Sequence, residues 1–249
     1  MLNFSSNKNS ISANTIRRSK VAIATSLLLV LSACGSDNNS ADPVIEVPAT
    51  PDEYSYSVTV TNLTYAQPLS PLAIMFHGDS KMWMAGEASS TALEQLAESG
   101  DNTQLIADSS VLASGSGEGV VLPGSADTVA ITTTDRNAIY FTAVTMLVNT
   151  NDAFTGLTGI DISTMAIDDV KSWNLNVYDA GTEANSEAMG TIPGPADGGT
   201  GFDEARDDVN FVAIHSGVVS QDDGLSSSVL TQAHRFDNPA IKLTITRTQ

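Results

Sequence analysis

The chain has a single cysteine, Cys34, in 249 residues, so no disulfide can close within it. Basic residues are few: 11 Lys and Arg stand against 29 Asp and Glu, a formal net charge of −18. A field of that sign repels DNA, RNA and anionic lipid headgroups and concentrates cations, which excludes a nucleic-acid partner. The three histidines, His77, His215 and His234, are far apart and lack the His-x-x-x-His or Cys spacing of a zinc site. There is no Gly-x-Gly-x-x-Gly opening a helix and no phosphate-binding loop with lysine. Nor is there a Gly-x-Ser-x-Gly nucleophile elbow, or the α/β pattern such an elbow needs.

What is present begins with an export signal. Lys8, Arg17, Arg18 and Lys20 precede an apolar run from Val21 to Leu31 that is too short to span a membrane comfortably. Leu31-Ser32-Ala33-Cys34 then resembles a bacterial lipobox, in which the cysteine is lipidated and becomes the first residue. The simpler alternative is a plain signal peptide followed by a chance cysteine. Residues 1–33 are therefore expected to be a signal peptide, and Cys34 a lipidation site. Gly35 rather than Asp follows, which by analogy favours outer-membrane over inner-membrane retention in a bacterial envelope. Residues 34–52, rich in Ser, Asp, Asn, Pro and Ala with nothing periodic, read as a disordered tether. A chain starting at Cys34 keeps all 29 acids and 7 Lys and Arg, a charge of −22.

Residues 53–249 are enough for one domain with a real core. Tyr54, Tyr56, Val58 and Val60 alternate with Ser and Thr, the period of a half-buried strand. Leu72 to Phe76 is a short apolar run suited to a buried strand. Val129–Thr134 and Ile139–Val148, separated by Asp135-Arg136-Asn137, suggest a hairpin. Trp173–Tyr178, Phe211–Ile214 and the alternating Ile241, Leu243 and Ile245 follow, with a further strand near Gly119–Leu122. The expected fold is an all-β antiparallel sandwich of about eight strands, with one short helix and long loops. The helix starts at a Ser89-Ser90 cap, runs through Leu93, Leu96 and Ala97, and ends at Gly100, as a lid on the sandwich edge. Met75, Met82, Trp83 and Met84 read as core filling.

The stretch with chemistry in it is Trp173 to Glu183. Trp173, Leu175 and Val177 alternate with Ser172, Asn174 and Asn176, and the strand runs into an Ala180-Gly181 turn flanked by Asp179 and Glu183. Acidic side chains converge at a strand end only around a cation, and a hard divalent ion with oxygen ligands suits them. Two solvated loop acids remain the plain alternative.

Tyr178-Asp179-Ala180-Gly181-Thr182-Glu183 resembles the Asp-Ala-Gly-Thr-Asp signature of the spondin N-terminal domain. Asp152-Ala153-Phe154-Thr155-Gly156-Leu157 resembles that family's Ser-Pro-Asp-Trp-x-Val-Gly segment, without its proline and tryptophan. Pro71-Leu72-Ala73 and the closing strand Ala240–Thr246 extend the likeness over roughly residues 54 to 248. The resemblance implies a β-sandwich related to calcium-dependent membrane-docking domains, with one Ca2+ ion at its end. The matching acids are Asp152, Asp179 and Glu183, the last standing where the family has aspartate.

Gly198-Gly199-Thr200-Gly201-Phe202-Asp203 is half of a calcium-binding nonapeptide, but one copy cannot build the β-roll that binds. It reads as an acidic loop holding Asp197, Asp203, Glu204, Asp207 and Asp208, placed to overhang the same end of the sandwich. His77 and His215, at ends of apolar strands, read as structural. Two functions follow from different classes. One is a calcium-bound, non-enzymatic recognition or adhesion module on a lipid tether, facing a surface glycan or protein ligand. The other is a hydrolase of envelope or extracellular polymer using loop acids such as Asp203 and Glu204, or His215. Acids at strand ends and in loops, instead of paired across facing strands, favour the first.

Overall fold

The computed structural model describes residues 52–78 and 81–249. The signal peptide, Cys34 and all but the last residue of the tether expected above lie outside the described residues.

Among the described residues, ten strands build two antiparallel sheets. They are β1 (Tyr54–Asn62), β2 (Ala73–His77), β3 (Val111–Ser116), β4 (Ala126–Thr133), β5 (Tyr140–Met146), β6 (Ala153–Asp161), β7 (Val170–Leu175), β8 (Val177–Asp179), β9 (Ala213–Ile214) and β10 (Ile241–Arg247). One sheet has the order β4-β1-β10-β7 and the other β3-β2-β5-β6-β8-β9. The all-β sandwich expected from the alternation is what the chain forms.

The main core lies between the sheets. Tyr56, Val58 and Val60 of β1 and Leu243 and Ile245 of β10 meet Ile74 and Phe76 of β2 and Phe141 and Ala143 of β5. The six-stranded sheet is buried on its other face as well. There Met75, Val144, Met146 and Phe154 pack under the helices α1 (Thr91–Ser99) and α2 (Thr103–Ile106) and Trp83. A strand covered on both sides needs no polar face, which explains the unbroken apolar run in β2. The Ser90 side chain caps α1, accepting from the Leu93 N–H, and left-handed Gly100 ends it. The helix therefore begins and ends where its residues say. It covers the outer face of the six-stranded sheet, though, and not the sandwich edge.

Several sequence expectations are corrected by the topology. Val129–Thr134 and Ile139–Val148 are not a hairpin: β4 belongs to one sheet and β5 to the other, so Asp135-Arg136-Asn137 carries the chain across the sandwich. Trp173–Tyr178 is two strands. β7 pairs with β10, and after Asn176 β8 pairs with β6 in the opposite sheet. Trp173, Leu175 and Val177 all face the inter-sheet core, so the alternation persists while the hydrogen-bonding partner changes. Phe211–Ile214 contributes only the two residues of β9. Near Gly119–Leu122 there is no strand, only a bridge from Val121 to Leu69. Met84 is exposed instead of core filling, while Met75 and Trp83 are buried.

Two strands escaped the sequence pattern. β3 carries Gly115 between Ser114 and Ser116, and β6 carries Gly156 and Gly159, and glycine is a poor strand former. Gly156 is needed because a Cβ there would come within 2.2 Å of the Ala143 carbonyl oxygen. Gly159, at φ +64°, lies where the β5–β6 register slips by a residue.

Candidate metal centre

Strand pairing brings the first two acids together. β6 starts at Ala153 and β8 ends at Asp179, and these residues are register partners. Asp152 therefore sits beside the end of β8, and its carbonyl accepts from the Ala180 N–H at 3.2 Å. Twenty-seven residues apart in sequence, the two acids become neighbours because their strands share a ladder.

The turn after β8 then folds back over Asp152. Its Oδ2 accepts from the Thr182 N–H at 2.8 Å, the Thr182 hydroxyl at 3.2 Å and the Glu183 N–H at 3.1 Å. Gly181 permits this turn with φ +69°, and a Cβ there would strike the Phe211 carbonyl oxygen at 2.3 Å. Asp179 Oδ1 accepts from the Gly181 N–H at 2.7 Å, and its Oδ2 accepts from Asn185 Nδ2 at 2.5 Å.

A third acid arrives from the glycine-rich loop. The Asp207 N–H donates to the Thr182 carbonyl at 3.1 Å and the Asn210 N–H to the Gly181 carbonyl at 2.7 Å, so residues 207–210 run alongside the turn. Between these two bonds lies Asp208. Carboxylate oxygens of Asp152, Asp179 and Asp208 come within 4.8 Å of one another; the first two residues are buried and the third half-buried. Arg206 ties the loop down through a two-pronged ion pair with buried Glu94 on α1, at 2.9 and 2.6 Å. It also donates to the Ser89 carbonyl and to Asn210 Oδ1.

Of the acids expected at the site, Asp152 and Asp179 converge and Glu183 does not join them. Its carboxylate faces away, accepting from Asn151 Nδ2 at 2.8 Å, and only its backbone N–H reaches Asp152. Burial and the negative charges of Glu98, Asp207 and Asp203 push the Glu183 carboxyl up to about 7. The third converging acid is Asp208. Its loop was legible as one that overhangs this end, but nothing local singles out Asp208 from the four other acids beside it.

Asp152 is the tightest spot electrostatically. It is wholly buried, and its Oδ1 has no hydrogen-bond partner. Burial, with the Asp179 charge second, pushes its carboxyl up to about 7 against the bonds from Thr182 and Glu183 that pull it down. A bare, buried carboxylate oxygen beside two further carboxylates is the donor set a hard divalent cation takes. Oxygens within 4.8 Å of one another also fit around an ion whose ligand distances are about 2.3–2.6 Å.

The other groups read as structural. His77 Nε2 bonds Thr142 Oγ1 at 2.8 Å, deep between β2 and β5. Asp203 lies outside the carboxylate cluster, its Oδ1 accepting from the Ala205 N–H. The sandwich also opens at its opposite end. A cleft of about 170 Å³ is lined there by Tyr54, Tyr56, Arg136 and Arg247, among others, and by none of the candidate acids.

The fold and site together define an antiparallel β-sandwich with an acidic, cation-suited cluster at one end. A model of the spondin N-terminal domain family, described as Spondin_N, matches residues 64–191, and the chain belongs to that family. The family is not one of known enzymes, and membership marks the chain as an extracellular module of the recognition or adhesion type. The matched segment contains Asp152 and Asp179 and stops short of Asp208. No curated protein matches the chain. Among the described residues, no helix is long and apolar enough to cross a membrane.

Proposed function

We propose that this protein is an exported, lipid-anchored recognition module without enzymatic activity, whose Asp152, Asp179 and Asp208 hold one calcium ion. The observation that carries the cation is Asp152 Oδ1, buried and without a hydrogen-bond partner beside the carboxylates of Asp179 and Asp208. A buried oxygen of this kind is costly unless protonated or covered by a positive charge. Calcium is favoured over zinc because the donors are all oxygens, and over magnesium because three carboxylates from separate segments of the chain suit a flexible shell of six to eight ligands. Glu183 serves through its backbone N–H, which holds Asp152 in place.

The acidic, metal-bearing end is the surface offered to a partner, a surface glycan or protein and not a nucleic acid. The lipid on Cys34 supplies the membrane attachment, in the outer membrane of a bacterial envelope. The hydrolase reading has no observation behind it. Both ring nitrogens of His215 are engaged by Asn185 and Gly217, and Asp203 and Glu204 are exposed loop acids.

The test is thermal melting of the purified protein in millimolar calcium and in chelator. Binding to the folded state alone stabilises by about 2.7 kcal/mol when calcium is a hundredfold above Kd. The melting temperature should fall in chelator; Asp179→Asn and Asp208→Asn should shrink that gap, and Asp203→Asn should leave it intact. Magnesium should substitute poorly. Equal melting with calcium and with chelator, in protein verified metal-free, would leave these acids a largely buried cluster that holds no metal.

A further inference from the structure

Asp179 has a hydrogen-bonded chain behind it that the calcium reading alone does not require. The Gly217 N–H donates to His215 Nδ1 at 2.9 Å. A backbone amide can only donate, so Nδ1 is an acceptor, and in a neutral imidazole the single N–H must then sit on Nε2. Nε2 lies 3.1 Å from Asn185 Oδ1, to which it donates. With its oxygen committed to the histidine, Asn185 turns its NH2 group to Asp179 Oδ2 at 2.5 Å. Every donor therefore points one way, from Gly217 through His215 and Asn185 to the carboxylate. The Gly181 N–H holds the other oxygen of Asp179, so both are fixed.

The scaffold around the histidine is built to keep this direction. His215 is buried, its backbone N–H donates to the Val177 carbonyl on β8, and its ring packs against Phe236 with centroids 5.3 Å apart. A neutral ring places no positive charge beside a cation. Burial favours that neutral form, with the Asp179 charge pulling the other way. Without the histidine donor, the Asn185 amide could rotate and set its oxygen against Asp179 Oδ2, oxygen to oxygen.

We propose that His215 and Asn185 are positioning residues for the cation: together they fix the carboxylate of Asp179 in the orientation that faces Asp152 and Asp208. This rests on the calcium reading above and adds to it residues that do not touch the ion. Partners of this outer kind usually change metal affinity by about 10- to 100-fold when removed.

Calcium titration calorimetry on the purified full-length protein tests it, alongside melting in chelator. Asn185 is exposed, so Asn185→Ala should melt as wild type in chelator and yet bind calcium at least about tenfold more weakly. His215→Phe should weaken calcium to a similar degree, and His215→Gln, which restores an N–H donor, should recover most of the loss. Calcium binding by Asn185→Ala within twofold of wild type overturns the proposal. So does a matching drop in its chelator melting temperature, which would make Asn185 a structural prop. If wild type binds calcium and His215→Phe binds it equally well, the histidine has no place in the chain and the proposal falls, with the calcium site left standing. If wild type itself gives no calcium heat, the calcium reading and this one fall together.

Discussion

A carboxylate with one oxygen triply hydrogen-bonded and the other bare, as at Asp152, is unbalanced. Its three donors come from the turn that Gly181 makes possible, so the geometry at Asp152 depends on a residue that has no side chain. Gly181→Ala would force a Cβ onto the Phe211 carbonyl and hold a left-handed backbone that alanine dislikes. We expect a loss of about 1–3 kcal/mol in chemical denaturation in chelator, together with a reduced response to calcium. A variant as stable and as calcium-responsive as wild type would mean that the turn is not what shapes the site.

At the scale of elements, two connections bring the acids together. The first is the sheet switch at Asn176, which lets one extended run pair with β10 through β7 and with β6 through β8. Only the second pairing puts Asp179 beside Asp152. The second is the loop carrying Asp208, held at its root by Arg206 on Glu94. Glu94 is 3% exposed, so removing its partner leaves a buried charge uncompensated. Arg206→Ala should therefore cost about 3–5 kcal/mol and weaken calcium binding by releasing Asp208. Replacing the pair together, as Glu94→Met with Arg206→Met, should recover most of the stability and little of the calcium affinity. Equal recovery of both in denaturation and calorimetry would show that the ion pair does not place the loop.

At the scale of the whole molecule, the acid cluster couples stability to pH. An aspartate near 3.8 unfolded and about 7 folded binds more protons in the folded state between those values. The metal-free protein should accordingly lose stability as pH rises through that interval, with the full penalty present above about 7. Calcium takes the ionised form, so the melting gap between calcium and chelator should widen over the same range. Melting from pH 4 to 8 in both conditions checks this; a gap constant with pH would separate Asp152 from the cation. The tether makes its own prediction. Cys34→Ser should give an exported protein that leaves the membrane fraction, and retention with membranes would exclude lipidation as the anchor.

The sequence by itself determined whatever depends on near neighbours along the chain. The alternation in β1, β7 and β10 chose the buried faces, because side-chain direction in a strand repeats every two residues. Ser90 and Gly100 set the limits of α1, because capping bonds reach only a few residues. The acidic turn after β8 was legible for the same reason, and with it Asp179; Asp152 was reached only through the resemblance of its segment to the spondin family. Tertiary structure alone decided which sheet each strand joins, so a turn that reads as a hairpin between β4 and β5 crosses the sandwich instead. It hid β3 and β6, whose glycines are poor strand formers and, at Gly156, answer to a neighbouring backbone. It also turned the Glu183 side chain away from the cluster and brought in Asp208, through backbone bonds between residues 181–182 and 207–210. Pairing between segments distant in sequence leaves no periodic mark on either of them, and that is why the third carboxylate of the cluster had to be found in three dimensions.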